Sequence, residues 1–261
     1  MLVMRRMSLV PLIALFLLST QNAPEVKVNF AKVKQDIAVQ NKSNKKPVKT
    51  TILGVPVLVY EFSPRRTAIE SDVSKKPQRF YHFISKAREE YGDSLEFLIA
   101  ASFYDRRSGN SVGRIVNDYN VLANGSFSGG SSLVYSANEL KILQTTDLGT
   151  LKMYHTAVGG LVGLVSDGRI STGWKGRNVD ARSTRPRSAL GIRKNGNALL
   201  VLGNASIGKI ARIMQELKCE DAVYLDSGSA RAFYYIDGNK HITHNNGALV
   251  KSVIEGRKIN Y

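Results

Sequence analysis

The chain has 261 residues, a formal net charge of +16 at pH 7, and 43% hydrophobic against 22% charged residues. That balance excludes a disordered chain, and the length allows one domain or two with a sizeable core. A single cysteine, Cys219, excludes an intrachain disulfide framework and a cysteine-built zinc site, and the basic excess points to an anionic partner.

Arg5 and Arg6 precede an apolar run from Leu9 to Leu18, broken only by Pro11, and small and polar residues follow. This order predicts a signal peptide or N-terminal anchor over 1–23. The run is shorter than the ~20 apolar residues of an ordinary membrane span. The expected location is therefore secreted or periplasmic, or membrane-attached through an uncleaved signal. Residues 24–50 read as a lysine-rich tether. Nine of the 37 basic residues and two of the 21 acidic ones lie in 1–50, which leaves +9 on the expected domain, 51–261.

Ile52–Phe62 reads as a strand. Phe80, Phe83, Ile84, Ala87 and Tyr91 form one apolar helix stripe, ended by Gly92. Leu95–Ser102 reads as a buried strand. Strand-like runs follow at Ser111–Val116, Ser132–Tyr135, Lys141–Gln144, Leu151–Tyr154 and Gly163–Ser166, with Asp167-Gly168 as a turn. Ser188–Ile192 and Ala198–Leu202 flank Asn195-Gly196, a type I′ hairpin signal. Ser206 is a good N-cap for a helix carrying Ile207, Ile210, Ile213, Met214 and Leu217. A short strand, Ala222–Leu225, then runs into Asp226, and Asp237-Gly238 marks a last hairpin. The expected fold class is α+β, a mixed, largely antiparallel sheet with flanking helices in a single domain.

Three places carry chemistry. In Asp226-Ser227-Gly228-Ser229 a strand delivers a carboxylate onto a turn of small residues, which suits acid–base or nucleophilic work; the same turn is also what a loop-shaping Asx turn looks like. In Arg185-Pro186-Arg187-Ser188, Arg187 stands at a strand mouth, where it can hold an anion or simply cover the sheet end. It closes an arginine-rich stretch that begins near Lys175 and includes Trp174 beside it, a residue suited to stacking on a sugar. In Ser102-Phe103-Tyr104-Asp105, Asp105 is a second carboxylate, or a partner of Arg106 or Arg107. His155 precedes Gly159-Gly160 and can line the same site. His241 and His244 form a His-x-x-His spacing that is only a weak metal signal, and no metal or cofactor is expected.

The segment PRSALGI, then the hairpin and helix, then DAVYLDSGSA, resembles the phosphodiester glycosidase family. IAASFYD with Val112-Gly113, and Ala157-Val158-Gly159-Gly160 with Asp167-Gly168, resemble the family's earlier segments in the same order. Ala100 and Ala101 depart from its usual Asn and Gly, and Ser227 replaces a glycine of its Asp-Gly-Gly turn. The resemblance implies hydrolysis of the glycosidic bond of a sugar-1-phosphodiester. It implies Asp226 as the carboxylate, with Asp105 as catalytic partner or orienter. Arg187 would hold the diester, with Ser188, Ser227, Gly228, Ser229, Tyr104 and His155 lining the substrate. The expected partner is a sugar phosphate or anionic polysaccharide. The competing reading is a noncatalytic exported module that binds anionic polysaccharide. Specific nucleic-acid binding is not expected, because the basic residues form no recognition pattern.

Overall fold

A computed structural model describes residues 46–127, 130–172, 182–237, 240–245 and 247–259. The expected signal peptide, most of the tether, and Trp174 with the arginine-rich stretch from Lys175 to Asp180 lie outside them. No described helix is long and apolar enough to cross a membrane.

Two antiparallel sheets dominate. The larger has eleven strands, and its main path runs β1 (Val48–Ile52), β2 (Val55–Phe62), β12 (Ala198–Ala205), β11 (Arg185–Arg193), β13 (Cys219–Tyr224), β9 (Thr156–Ser166), β5 (Arg114–Asn117) and β6 (Asn120–Asn124). On β9 it also carries β7 (Ser131–Ser136) with its partner β8 (Glu139–Leu143), and β10 (Arg169–Ile170). The smaller is ordered β15 (Lys240–His244), β14 (Phe233–Asp237), β4 (Leu95–Ala100), β16 (Leu249–Lys258) and β3 (Thr67–Arg79).

The α+β expectation is corrected to a mostly β fold. Helices are few but do flank the sheets. The buried apolar faces account for the layering. Tyr60 and Phe62 of β2, Leu190 of β11 and Val223 of β13 meet Phe97, Ile99, Phe233 and Ile254 of the smaller sheet in one central core. The opposite face of the larger sheet packs on α3 (Ile207–Glu216) through Ile207, Ile210, Ile213 and Met214. The outer face of the smaller sheet packs on α1 (Phe80–Tyr91) through Phe80, Phe83, Ile84 and Ala87. The order of layers is helix, sheet, sheet, helix. A sheet with two apolar faces must be covered twice, and each helix supplies one cover.

Several local expectations change. The strand read over Ile52–Phe62 is a hairpin, with Leu53 and Gly54 both at positive φ between β1 and β2. The first strand thus begins at Val48. Leu151–Tyr154 is no strand: Asp147 caps the one-turn helix α2 (Leu148–Leu151) by accepting from the Thr150 amide at 2.7 Å. The Asn195-Gly196 turn is not type I′, because only Gly196 has positive φ. Arg193 accepts from the Gly196 amide and donates to Asn197, which makes a longer loop with Gly196 in the left-handed position. Asp167-Gly168, both at positive φ, is the tight two-residue turn. The helix starts at Phe80 and Ile207, and the Ser206 cap, follow the sequence.

Candidate active site

The strand β13 runs out at Tyr224, and the next two residues bridge the two sheets. The Leu225 amide donates to the Ser188 carbonyl of β11 at 3.0 Å. The Asp226 amide donates to the Ala101 carbonyl, just past β4 of the other sheet, at 2.9 Å. Asp226 therefore sits on the turn that links the two sheets. Its turn is locked by hydroxyls. The Ser188 Oγ donates to the Asp226 carbonyl at 2.7 Å, and the Ser188 amide donates to Ser227 Oγ at 3.0 Å. Ser227 Oγ in turn donates to the Leu225 carbonyl at 2.9 Å. Gly228 takes positive φ and opens the 3-10 turn Gly228–Ala230, which carries Ser229.

Asp226 is 6% exposed. Oδ1 accepts from the Ser227 amide at 2.8 Å. Oδ2 is buried and has no hydrogen-bond partner among the described residues. Burial pushes the carboxyl up to about 7; the Ser227 amide and the charge of Arg106 pull the other way. No neighbouring carboxylate is needed to explain the shift. A buried acceptor without a partner among the described residues, on the turn that links the two sheets, is the mark of a group kept for a ligand.

The sequence motifs that resemble early and central family segments meet here. The segment 102–113 loops out from β4 and returns to β5. It is seated by the close approach of Gly113 to the bend at Gly159-Gly160 in β9. A Cβ on Gly113 would stand 1.9 Å from the Gly159 carbonyl oxygen and 2.7 Å from Ser102 Oγ. Gly160 has φ +75°, and a Cβ there would stand 2.8 Å from Gly113 Cα. Only glycine permits both. Ala100 and Ala101, at the departures from the family pattern, are fully buried; Ala100 packs in the α1 layer and Ala101 between the sheets.

The other expected site residues are placed as follows. Arg187 is buried beside the site, on the α3 face of β11, since strand alternation turns it away from Ser188. Its Nε donates to the Ala205 carbonyl at 3.3 Å, Nη2 to the Ser183 carbonyl at 3.2 Å, and Nη1 to the Tyr224 hydroxyl at 2.5 Å. The guanidinium lies 5.4 Å from the Tyr224 ring centre, and Phe103 packs on the same ring at 5.5 Å. Arg187 thus braces Tyr224, two residues before Asp226.

Asp105 is exposed, and its Oδ1 accepts from the Arg107 and Ser108 amides at 2.7 and 2.9 Å. Those bonds hold it below the usual carboxylate range. It shapes its own turn through backbone amides, not by the expected pairing with an arginine side chain, and no hydrogen bond joins its carboxyl to Asp226. Tyr104 is half-buried and pairs with Ser111 as an isolated bridge. His155 stands at the far start of β9, edge-on to Tyr119 and Tyr135. It is five residues from Gly160, roughly 15 Å along the strand.

One residue of the site was missed. Arg106, on the Asp105 turn, donates from Nη2 to Ser229 Oγ at 3.3 Å and is the cation that acts on Asp226. Its reach across to Ser229 depends on nonlocal packing of two loops, and no local pattern signals it. At the opposite end of β11 and β13, a cleft of 980 Å³ lies between the Lys194–Asn197 loop, the β7–β8 hairpin, and Glu220 with Asp221. No group of three or more His, Cys, Asp or Glu among the described residues can hold a metal ion.

A family model described as phosphodiester glycosidase matches residues 93–258. That span takes in the Asp105 turn, the Gly159-Gly160 bend, Arg187 and the Asp226 turn. Among solved structures, a hypothetical protein from Synechocystis superposes with a TM-score of 0.66 at 13% identity, over 81% of this chain and 61% of that one. The chain therefore spans less than two thirds of that protein. The catalytic domain of zebrafish N-acetylglucosamine-1-phosphodiester alpha-N-acetylglucosaminidase, auto-inhibited by its pro-peptide, gives 0.62 at 12% identity, covering 83% of each chain. A protein from Burkholderia pseudomallei K96243 gives 0.52 at 13% identity, over 78% of this chain and 74% of that one. At these identities the likeness is one of fold. No curated protein sequence matches the chain.

Proposed function

The chain belongs to the phosphodiester glycosidase family, and from that premise we propose that it hydrolyses the glycosidic bond of a sugar-1-phosphodiester, with Asp226 acting at the sugar. The observation that carries this reading is the buried Oδ2 of Asp226, without a hydrogen-bond partner among the described residues, on the turn that links the two sheets. Glycoside cleavage passes through an oxocarbenium-like state, and a carboxylate in a site of low dielectric stabilises that charge or activates water. A group titrating near 7 is well matched to proton transfer at neutral pH. A phosphate leaves readily, so a second carboxyl as strong general acid is less necessary. This suits a site in which Asp105 is spent on its own turn.

Roles then divide by position. Asp226 works on the anomeric centre. Ser188 and Ser227 hold its turn rather than the substrate, since their hydroxyls are engaged with backbone groups. Gly228 and Ser229 form the floor beside it. Arg187 positions Tyr224. Asp105 is a positioning residue for the loop that carries Arg106. The expected substrate is glycan or cell-envelope material outside the cytoplasm, a reading that rests on the apparent signal over 1–23.

A second reading is a noncatalytic module that binds anionic polysaccharide. It is favoured by Ala100, whose methyl group lies in the α1 layer where the family pattern places an asparagine. One experiment separates the two. The full chain is incubated with a panel of aryl sugar-1-phosphodiesters and with anionic polysaccharides. Sugar release that disappears in Asp226→Asn supports the hydrolase. Saturable polymer binding with no release from any substrate contradicts it.

A further inference from the structure

We propose that Arg106 and Ser229 form the phosphate-holding pair of this site, so that substrates are selected by an anionic phosphodiester lying across the Asp105 turn. This deepens the hydrolase reading and rests on it. Two arginines compete for the role. Arg187 has each of its three nitrogens donating to a neighbour: the Ala205 carbonyl, the Ser183 carbonyl and the Tyr224 hydroxyl. It is 4% exposed, and an anion could reach it only by displacing those buried bonds. Arg106 is exposed, and its Nη2 donates to a single hydroxyl, Ser229 Oγ, at 3.3 Å. A phosphate oxygen can take that donor, and Ser229 Oγ is then free to donate to the same group.

Arg106 is also held in place before any ligand arrives. Asp105 Oδ1 accepts from the amides of Arg107 and Ser108. The Asp105 amide donates to the Asn110 carbonyl at 2.9 Å, and the Gly109 amide donates back to the Asp105 carbonyl at 2.7 Å. On the other side, Asn245 Nδ2 donates to the Ser229 carbonyl at 3.0 Å. Both members of the pair therefore sit on braced backbone, which lowers the ordering cost of binding. Ser229 lies three residues beyond Asp226, so the pair places a phosphate next to the carboxyl. The positive charge of Arg106 is felt at Asp226. The same cation then serves twice: it holds the diester and offsets part of the upward pull that burial exerts on the Asp226 carboxyl.

The test uses the full-length protein, Arg106→Gln and Arg107→Gln. Arg107 is likewise exposed, and its replacement controls for loss of net charge. Calorimetric titration with phenyl phosphate should show binding that weakens about tenfold or more in Arg106→Gln and is unchanged in Arg107→Gln. With an aryl sugar-1-phosphodiester, Arg106→Gln should raise KM more than it lowers kcat, and Arg106→Lys should recover part of the loss. Carboxyl carbon NMR should show Asp226 titrating at higher pH in Arg106→Gln, whether or not the protein turns over. Binding of phenyl phosphate unaltered in Arg106→Gln, equal losses in both glutamine variants, or no binding by the wild type would each overturn the proposal. Arg106-dependent binding without release of sugar from any phosphodiester would leave the phosphate site standing and remove the hydrolase reading.

Discussion

At the scale of the residue, Asp226 is a conflict between folding and chemistry. Its carboxyl is pushed up to about 7 by burial, against an ordinary value of 3.8. The folded state therefore favours the protonated form. The stability that this form contributes is fully present below pH ~4 and is lost as pH rises through about 7. At pH 8 the native state carries a buried charge that the unfolded chain carries in water. At about 1.4 kcal/mol per pKa unit, the cost is of the order of a few kcal/mol. Asp226→Asn keeps an acceptor for the Ser227 amide and removes the charge. The variant is expected to melt several degrees higher than wild type at pH 8 and to differ little at pH 4, as thermal denaturation across pH will show. Such a trade between stability and activity is usual at functional sites.

The residue scale also shows what the sequence could convey. The carboxylate at the end of an apolar strand was legible in LDSGS, because a buried strand must deliver its next residue somewhere. Asp105 looked the same locally, and what separates it from Asp226 is burial, which depends on the opposite sheet. Arg187 was legible as a strand-mouth cation, but its partners Ala205 and Ser183 come from a neighbouring strand and a loop. Arg106 was not legible at all, since its partner Ser229 lies 123 positions away.

At the scale of the element, periodicity found the helices over Phe80–Tyr91 and Ile207–Glu216, whose stripes face one sheet each. It missed β3, thirteen residues of largely polar composition. That strand lies at the edge of its sheet, paired with β16 alone; Thr67, Ile69 and Ser71 turn fully inward, and Ser71 bonds Asn117 and Val116 of β5. Its long register with β16 is nonlocal and leaves little trace in its own sequence. The loop 102–113 is the element on which the site depends, and it is seated by glycine against glycine. Gly113→Ala would drive a methyl group into the Gly159 carbonyl at 1.9 Å, where backbone has to move. The expected result is a destabilisation of about 1–3 kcal/mol in denaturant unfolding, together with loss of turnover beyond that explained by unfolded protein. A variant as stable and as active as wild type would show that the loop is not set by this contact.

At the scale of the whole molecule, the charge divides. Much of the excess sits in a segment that precedes the sandwich, while within the sandwich Glu70, Asp72, Glu90 and Glu255 gather near Lys86 of α1. Glu255 on β16 is 4% exposed, and its carboxyl is pushed up to about 8 by burial, by Asp72, Glu70 and Glu90, and against the pull of Lys86. The sign is the same as at Asp226. Stability contributed by the protonated form is present below pH ~4.5 and is lost as pH rises through about 8. Glu255→Gln should therefore raise the melting temperature at pH 9 and leave it nearly unchanged at pH 5. The fold as a whole was half legible: flanking helices and antiparallel hairpins followed from the sequence, whereas the division into two stacked sheets did not. Tyr60, Phe97 and Phe233 are apolar in any arrangement, and only their meeting in one core shows that two sheets face each other.

The central claim is that Asp226 performs the chemistry. The most direct test is the pH dependence of kcat/KM for sugar release from an aryl sugar-1-phosphodiester, in wild type and in Asp226→Asn. If the ionised carboxylate acts, the wild-type profile rises with pH through an inflection near 7, and the variant loses about 10²–10⁴-fold together with that inflection. Asp226→Asn turning over at the wild-type rate with the same profile would contradict the account.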